Sequence, residues 1–580
     1  MTTKATRTDT KKNEMKYEKS ELELMTTYQL REICRREKIM NGVIHPLDKE
    51  ELIQTIMRYM GKRQDFLICD KKKGGEERVE EFLKKTRIVI KPCKELYCQS
   101  QILAYEGLSI EYYDGYTIPY KKELSGTNAF LMGSDMTLCA ILNLKEHGGK
   151  QEKLYLTKAA ELETRETQRK DYRIFCMGRQ NSECMYHLYY GEQTILPEHI
   201  EVYSIPLIDF VVRKPVTLML PMAIDFGSVN TTAGVYLDSA YFEHLGQQAA
   251  IKNCRENEIN YTVFEDGAGE SMLLPSVIGV LAVEEEDDKL LFGYDAIRLA
   301  NASYVDEGFC VFYDVKRWIG EYEKEEEIVD RQGRRRLVKR AEILRRFFLY
   351  IIRKTENRFK CRISQVHISS PVKQKHYFRR MFREILPEYM INQEIMLDEG
   401  MAVLYNTISS MLEQDTLEEN EEYEALIIDC GGGTTDLCSY RFRIQDRRAA
   451  YKIYMETTYE NGDTDFGGNN ITYRIMQILK IALVRATGNQ NVSSVKEILE
   501  YMDTDIYRFI DSHGVKEFYQ YLEQEYQKAE ETLPTRFADF ERYNRSEYYK
   551  VKNNFYTLFN TAEQIKKLFY GKIGALEVTV

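Results

Sequence analysis

The sequence has few of the residues that mark disordered or fibrous proteins. Its 580 residues include only 11 prolines and 33 glycines, whereas 43 % are hydrophobic and 12 % are aromatic. This composition excludes intrinsic disorder, collagen-like repeats and low complexity as descriptions of the whole chain, because it can bury large cores. With about 150 residues per domain as a guide, the length predicts roughly three to five domains.

Signals for disulfides, zinc and membranes are also missing. The 12 cysteines include no CxxC pair and no zinc-like spacing, which favours reduced thiols in a cytosol. No run of about eighteen apolar residues occurs, and the polar start of the chain lacks an apolar stretch of signal-peptide length. We therefore expect a cytoplasmic protein with no membrane partner.

Basic charge is scarce except at the N-terminus. The chain has 81 Lys and Arg against 92 Asp and Glu, a net charge of −11, which disfavours a surface coated in basic groups for nucleic acid. Residues 1–75 nevertheless hold 17 Lys and Arg against 12 Asp and Glu, a local net charge of +5. We predict a mobile tail over residues 1–19 and a helical hairpin over residues 20–62.

The hairpin resembles a SAP-type helix–extended loop–helix module, a family associated mostly with DNA or RNA binding. The segments that carry this resemblance are LMTTYQLREICRREKI and LDKEELIQTIMRY. It implies a DNA or RNA contact through residues 20–62, and the alternative is a small amphipathic hairpin for packing or protein contact. Residues 63–86 are predicted to be a linker or a solvated helix face.

Residues 87–217 predict a β-rich accessory domain. They contain short strand-like runs separated by Gly, Asp and Asn, among them TLCAILNL, YRIFCM and MYHLYY. These residues include no catalytic constellation, so the sequence assigns no function to this domain.

Two similar strand–turn–strand segments carry the chemistry of the sequence. AIDFGSVNTTAGVYL predicts an apolar strand ending in Asp225, a tight turn around Gly227–Asn230 and a second strand. ALIIDCGGGTTDLCSYRF repeats the pattern with Asp429 and Gly431–Gly433. Because the two aspartates lie 204 residues apart, we predict two similarly folded lobes that each contribute one loop to a shared cleft.

The residue types in these turns suit a phosphate chain. Glycines let the backbone approach phosphate oxygens closely, so that successive N–H groups form an anion-binding nest. Hydroxyls at Ser228 and Thr434 add donors. Asp225 and Asp429 would repel a bare triphosphate, which predicts a Mg²⁺ ion with its water shell between them and the phosphates. No GxxxxGK[ST] sequence occurs, so a P-loop architecture is not predicted.

Residues 218–580 resemble the actin-like ATPase superfamily, and within it the nucleotide-binding domain of DnaK-type (seventy-kilodalton heat-shock) chaperones. Four further segments occur in the family's order, namely FYDVKRWIG, QVHISSPVKQKHY, LDEGMAVLYN and NGDTDFGGNN. The resemblance implies an α/β fold with a two-lobed actin-like (duplicated ribonuclease H-like) ATPase domain. It also implies ATP or ADP with Mg²⁺. We expect this domain to be incomplete at its C-terminus, because the family's domain continues beyond the part matched by ALEVTV.

The resemblance implies a role for each matched residue. Asp225 and Asp429 would hold Mg²⁺ through water. Lys316 would reach the γ-phosphate, Thr434 would contact it, and Glu399 would lie near the attacking water. The implied backbone cradle, glycine pair and adenosine-binding helix comprise Gly227, Ser228, Val229, Gly431, Gly432, Gly433, Gly467, Gly468, Glu563, Lys566 and Lys567.

Simpler alternatives exist for two of these residues. Lys316 beside Arg317 could belong to a solvated face, and Glu399 beside Gly400 could be an ordinary helix-start residue. The chain also departs from the family, which has a proline at the position of Gly400 and a threonine at that of Val229.

The sequence therefore predicts a DnaK-like protein that binds and hydrolyses ATP and couples the nucleotide state to a conformational change. A protein client or co-factor protein is the implied partner. Two alternatives are a nucleic-acid-tethered nucleotide sensor with little turnover and an actin-like filament protein.

Overall fold

The computed structural model has the mixed α/β class that the sequence predicts. It describes residues 19–36, 49–50, 52–53, 56, 66–147, 152–245, 253–265, 269–284, 288–301, 310–330, 333–371, 374–391, 398–447, 450–463, 466–501, 515–537 and 545–569. The tail predicted over residues 1–19, except Lys19, and the segment ALEVTV lie outside the described residues.

The chain divides into two units. Unit 1 consists of Met1–Met222, Gly234–Thr262 and Tyr350–Gln365. Unit 2 consists of Ala223–Ala233, Val263–Leu349 and Val366–Val580. None of the described helices in either unit is long and apolar enough to cross a membrane.

The N-terminal part of unit 1 is a small helical group with its own core. Helices Lys19–Leu24 and Thr27–Arg36 are joined at a reciprocal cap, in which the backbone N–H groups of Thr26 and Gln29 each donate to the other's side chain at 2.9 and 3.0 Å. The buried residues of the group are Leu22, Leu30, Ile33, Cys34, Leu52, Ile53 and Ile56. Most of the second predicted helix lies outside the described residues, and both a SAP-like module and a packing hairpin would have such a core.

A seven-stranded sheet forms the body of residues 87–217. Its strands, in spatial order, are Arg87–Ile90, His199–Leu207, Tyr172–Met177, Thr127–Gly133, Leu138–Lys145, Lys153–Thr157 and Thr117–Pro119. The first pair is parallel and the others are antiparallel. The central strand Thr127–Gly133 is buried at every position. Since successive side chains point to opposite faces, both faces of this sheet are covered.

The structure differs from the sequence prediction at two places around this sheet. Residues 63–86, predicted to be a linker or a solvated helix face, contain the helix Gly75–Lys85, whose apolar stripe is instead buried in the core of the sheet. MYHLYY, predicted to be a strand, ends the helix Arg179–Tyr190. The two helices pack closely, because a Cβ built on Gly75 would lie 2.6 Å from the ring of Tyr189. The buried residues of both helices have helical spacing. In the sequence this spacing is hard to detect, because charged residues surround it in the first helix and tyrosines in the second.

The other described elements of unit 1 are short. Three strand pairs belong to it: Gln101–Tyr105 with Asp209–Arg213, Val216–Thr217 with Cys361–Arg362, and the second half of Asn230–Leu237 with Glu258–Tyr261. The helix Ser239–Leu245 also lies here. A buried ion pair joins Lys360 Nζ to Asp114 at 3.2 Å.

Two sheets of unit 2 carry the two predicted turns. In one, the strand Met222–Phe226 lies between the first half of Asn230–Leu237 and Gln365–Ile368. The other sheet is antiparallel and consists of Tyr423–Cys430, Thr435–Asp446 and Tyr451–Asp463. One face of this second sheet packs against the helix Glu399–Glu413.

Unit 2 has further strands at Phe264–Glu265, Glu270–Ser271, Leu274–Pro275, Ile278–Ala282, Lys289–Phe292, Val311–Phe312, Glu325–Val329, Arg335–Lys339 and Met390–Ile391. Among its described residues, the other α-helices are Tyr294–Asn301, Lys375–Ile385, Gly468–Ala486, Val495–Tyr501, Val515–Lys528 and Arg545–Phe569. The helix Arg340–Phe359 begins in unit 2, and a 3₁₀-helix covers Val315–Glu321.

A buried charge lies inside the helical part of unit 2. Lys480 is fully buried; its ammonium contacts Glu530, donates to Thr535 Oγ1 at 3.0 Å and lies 4.1 Å from the ring centroid of Tyr526. Burial lowers the pKa of Lys480, and the charge of Glu530 opposes this shift. The pair is a vulnerable point, because a buried charge that loses its partner is costly.

We expect Lys480→Met to lower the free energy of unfolding by about 3 kcal/mol, since it leaves the Glu530 carboxylate without its cation. Chemical unfolding followed by circular dichroism measures this change. Lys480→Met combined with Glu530→Gln should recover at least about 1 kcal/mol, because the unpaired charge is then absent. The exposed Lys550, changed to Met, is the control and should cost less than about 0.5 kcal/mol. Equal losses at both lysines would contradict the assignment.

Candidate functional site

The first turn is a tight loop at the end of the strand that carries Asp225. In this first loop, residues 227–230, the N–H of Gly227 donates to the carbonyl of Asn230 at 3.1 Å. A Cβ built on Gly227 would collide with that same carbonyl oxygen. Glycine is therefore required by the close approach of the backbone to itself.

The second loop, residues 431–434, repeats this geometry. Its Gly431 N–H donates to the carbonyl of Thr434 at 2.9 Å. Each aspartate is the next-to-last residue of its strand, one position earlier than predicted. In both loops the glycine two residues after this aspartate donates to the carbonyl three residues further along. The sequence repeat is therefore also a repeat of backbone hydrogen bonding.

The two loops are in direct contact within unit 2. A Cβ built on Gly432 would collide with Val229 Cγ2, and one built on Gly433 would lie 3.1 Å from Ser228 Oγ. The structure thus brings together the two predicted turns, although more than 200 residues separate them. The Val229 side chain lies at the contact between them.

The start of the helix Gly468–Ala486 holds the second loop. The N–H groups of Gly468 and Asn469 donate to the carbonyls of Gly431 and Gly432 at 2.9 and 2.6 Å. The C=O and N–H of one trans peptide point in opposite directions. The N–H groups of Gly432 and Gly433 therefore point away from this helix, toward the side where a ligand would bind. The N–H of Gly468 itself is used to bind the loop.

Lys316 and Glu399 form a buried ion pair. Their Nζ and Oε1 atoms lie 2.9 Å apart, and the two side chains are only 8 % and 13 % exposed. The solvated-face alternative for Lys316 is therefore wrong. Glu399 does begin the helix Glu399–Glu413, but it also binds Lys316. Burial raises the pKa of Glu399 to about 7; Lys316 opposes this shift, and the charges of Asp225 and Asp436 add to it.

Asp225 and Asp429, which lie near the ends of their strands, interact electrostatically. Burial raises the pKa of Asp429, and the charge of Asp225 raises it further. The hydroxyl of Ser369 donates to Asp225 Oδ1 at 2.8 Å. Over the described residues, no group of three or more His, Cys, Asp or Glu side chains is arranged to hold a metal ion. A cation between the two aspartates would relieve their repulsion, so the pair suits Mg²⁺ held through water.

The helix that begins with Glu399 is fixed by a residue the sequence analysis missed. Asp398 is fully buried, caps the helix by accepting from the N–H of Met401 at 2.6 Å, and accepts from the hydroxyl of Tyr440 at 3.0 Å. Its second carboxylate oxygen lies 2.9 Å from Lys375 Nζ. Asp398 directly precedes Glu399 in LDEG, and that adjacency was the available signal.

Asp314 is a second residue that the sequence analysis missed. It adopts a left-handed backbone conformation with φ of 52° and pairs with Arg317 Nε at 2.6 Å. Burial raises its pKa, and a hydrogen bond from Ser228 of the first loop opposes that shift. Its position in FYDVKRWIG, two residues before Lys316, was the signal for it.

The residues predicted for adenosine lie on the helix Arg545–Phe569, and two of them contact the helix that holds the second loop. Glu563 accepts from the hydroxyl of Thr472 at 2.7 Å and pairs with Lys566 at 2.6 Å. Lys566 also donates to the carbonyl of Gly468 at 3.3 Å. Glu563 and Lys566 thus connect the helix Arg545–Phe569 to the start of the helix that holds the second loop.

A cavity of about 1270 Å³ opens beside the two loops. The predicted residues that line it are Ser228, Val229, Gly433, Glu563 and Lys567. Its aromatic residues include Tyr313 and Tyr556, whose rings stack at 4.3 Å between centroids. Asp225, Asp429 and the ion pair of Lys316 with Glu399 lie outside this lining. The cavity is large enough for a nucleotide-sized ligand.

Comparisons with known proteins add no relative. No protein-family model matches the chain, and a search of characterised proteins finds no significant match.

We expect the pH dependence of stability to change in Glu399→Gln. Because the folded pKa of Glu399 is about 7 against an ordinary value of 4.5, the folded state holds a proton that the unfolded state has lost. The stability from this group is present below pH 4.5 and is lost as pH rises through 7, at no more than about 1.4 kcal/mol per pH unit. Unfolding titrations between pH 5 and 8 should show a shallower decline in the variant.

The matched control for this titration is Glu413→Gln, at the exposed far end of the same helix. This control should keep the decline of the parent protein. If the Glu399 variant and the parent decline equally, burial does not govern the protonation of Glu399.

We expect Gly467→Ala to displace the second loop. Its φ of −176° suits any residue, but an added Cβ would lie 2.8 Å from the carbonyl oxygens of both Gly431 and Gly432. Hydrogen exchange of residues 423–446 should become at least about fivefold faster, because the bonds to the helix start weaken. Gly320→Ala, where a Cβ meets nothing within 4 Å, should leave this exchange unchanged. An unchanged rate in the Gly467 variant would show that the helix start does not hold the loop.

Proposed function

We propose that unit 2 binds ATP with Mg²⁺ and hydrolyses it, as the resemblance to DnaK-type nucleotide-binding domains implies. The observation that carries this proposal is the pair of touching loops. Each follows a strand whose next-to-last residue is an aspartate, and each has the same glycine-to-carbonyl hydrogen bond at 3.1 or 2.9 Å. Two such loops in contact are what a shared phosphate site requires.

The proposed architecture is a two-lobed actin-like domain built from duplicated ribonuclease H-like halves. The repeated strand and loop at Asp225 and at Asp429 support it, because each lies in its own sheet. A cavity beside both loops, lined in addition by Glu563 and Lys567, gives a nucleotide room to lie with its phosphates at the loops.

The chemistry we propose is attack of water on the γ-phosphorus. The new bond joins the water oxygen to phosphorus, the bond to the β–γ bridging oxygen breaks, and ADP, phosphate and a proton are released. Lys316 would neutralise charge that develops on the transferred group, and loop N–H groups would bind its oxygens. Glu399, with a pKa of about 7, is suited to accept a hydrogen bond or a proton from water near neutral pH.

Mg²⁺, when bound, would neutralise the negative charge of the phosphates. Asp225 and Asp429 would hold it through its water shell. Their mutual repulsion is the property of this chain that supports such a cation.

The contact between the loops supports a link between ligand and conformation. Val229 packs against Gly432, so a phosphate group inserted between the loops would separate them. Such a separation is a local change that a protein partner could detect. We propose a client or a co-factor protein as this partner, and a DNA or RNA contact through residues 20–62.

Lys316→Met should test the ATPase assignment. We expect single-turnover hydrolysis of Mg-ATP to fall at least about 100-fold, because the cation acts mainly on charge that develops during transfer. The dissociation constant for Mg-ATP, measured by calorimetric titration, should change less than about threefold.

Lys324→Met is the matched control, because Lys324 lies nearby with 60 % of its side chain exposed; it should hydrolyse ATP like the parent. Equal single-turnover hydrolysis rates for the Lys316 variant and the parent would show that this lysine does not act in hydrolysis. Tight binding with no turnover by the parent would instead favour the nucleotide-sensor alternative.

A further inference from the structure

A buried serine, Ser276, contacts the first loop and is among the residues that line the cavity. Ser276 directly follows the strand Leu274–Pro275. This strand pairs antiparallel with Asn230 and Thr231, the first two residues of the strand that follows the first loop. The side chain is fully buried. A buried hydroxyl needs hydrogen-bond partners, so its contacts indicate what it does.

Ser276 binds the first loop through two of its atoms. Its backbone N–H donates to the carbonyl of Val229 at 2.8 Å, and its Oγ donates to the carbonyl of Gly227 at 2.7 Å. Thr231 Oγ1 lies 2.9 Å from the same Oγ. Because a hydroxyl has a single proton and Ser276 gives it to Gly227, Thr231 is the donor in this last bond.

These bonds fix the direction of the loop's N–H groups. With the carbonyls of Gly227 and Val229 turned toward Ser276, the N–H groups of Ser228 and Asn230 point away from it, because the two groups of a trans peptide are antiparallel. The second loop is held in the same way by Gly468 and Asn469. Each loop thus has its carbonyls bound on one side and N–H groups directed to the other.

We propose that Ser276 is a positioning residue for phosphate binding by the first loop. By holding two carbonyls it keeps the N–H groups of Ser228 and Asn230 directed toward the phosphate groups of the nucleotide. The inference rests on the proposed function, because it concerns the same site. It assigns to Ser276 an effect on the phosphates and none on the base or ribose.

Ser276→Ala tests this role in the full chain, because it removes the Oγ bond and leaves the backbone bond to Val229. We expect Mg-ATP to bind about tenfold more weakly, because Gly227 loses a buried partner and the loop loses its fixed direction. Adenosine, which lacks phosphates, should bind with a change of less than about twofold. Calorimetric titration measures both constants. Ser276→Thr, which keeps the hydroxyl, should bind Mg-ATP within about threefold of the parent.

Thr231→Val is the matched control. It removes a buried hydroxyl that binds the same Ser276 oxygen, but Ser276 keeps the proton that it donates to Gly227. Mg-ATP affinity should therefore stay within about threefold of the parent. Unchanged Mg-ATP affinity in Ser276→Ala, or equal losses for ATP and adenosine, would overturn the positioning role.

Hydrogen exchange without ligand separates this inference from the proposed function. Exchange of residues 222–237 should become faster in Ser276→Ala than in Thr231→Val, since the Gly227 carbonyl is released. If the parent binds no Mg-ATP but exchange still rises in this way, the proposed function fails and Ser276 still orders the loop. If the parent binds Mg-ATP and Ser276→Ala changes neither exchange nor affinity, the positioning role of Ser276 is wrong, while the proposed ATP binding stands.

Discussion

The direction of the peptide groups in the two loops is the constraint on which the candidate site depends. A backbone segment binds an anion only if its N–H groups face the ligand, and that requires its carbonyl groups to be bound elsewhere. In the second loop the N–H groups of Gly468 and Asn469 bind these carbonyls. In the first loop Ser276 does so with one N–H and one hydroxyl. The loops thus use different donors for the same purpose, which accounts for their different sequences around a shared Asp-x-Gly.

Outside the loops, the buried charged groups Asp398, Glu399 and Lys316 hold one another in position. Asp398 is fully buried and is bound by the helix start, Tyr440 and Lys375. Since these contacts come from three elements, the start of the helix Glu399–Glu413 cannot move without breaking several of them. Glu399 is therefore held beside Lys316 by its neighbour in the chain. Burial of Glu399 itself raises its pKa to about 7.

The sequence predicts those features that depend on local spacing. Both loops, their aspartates and the glycines that permit close backbone approach follow from the repeated Asp-x-Gly pattern, and Lys316 and Glu399 follow from the family's motif order. The bonds of Ser276 to Gly227 and of Lys375 to Asp398 were not predictable, because they join residues far apart in the chain. The burial of the helix Gly75–Lys85 was missed for a related reason: the charged composition indicated a linker or a solvated helix face, but tertiary packing buries one apolar stripe of this helix.

The charges around the loops restrict the kind of anion that the proposed site accepts. Lys316 lies 2.9 Å from Glu399, and its single positive charge is opposed by three carboxylates when Glu399, Asp225 and Asp429 are all ionised. The cluster is then net negative. Loop N–H groups attract an anion over short distances, but two aspartates repel it unless a cation accompanies it. Under the proposed function, we expect the cluster to disfavour a bare phosphate or sulfate relative to a phosphate chain that carries its own divalent cation.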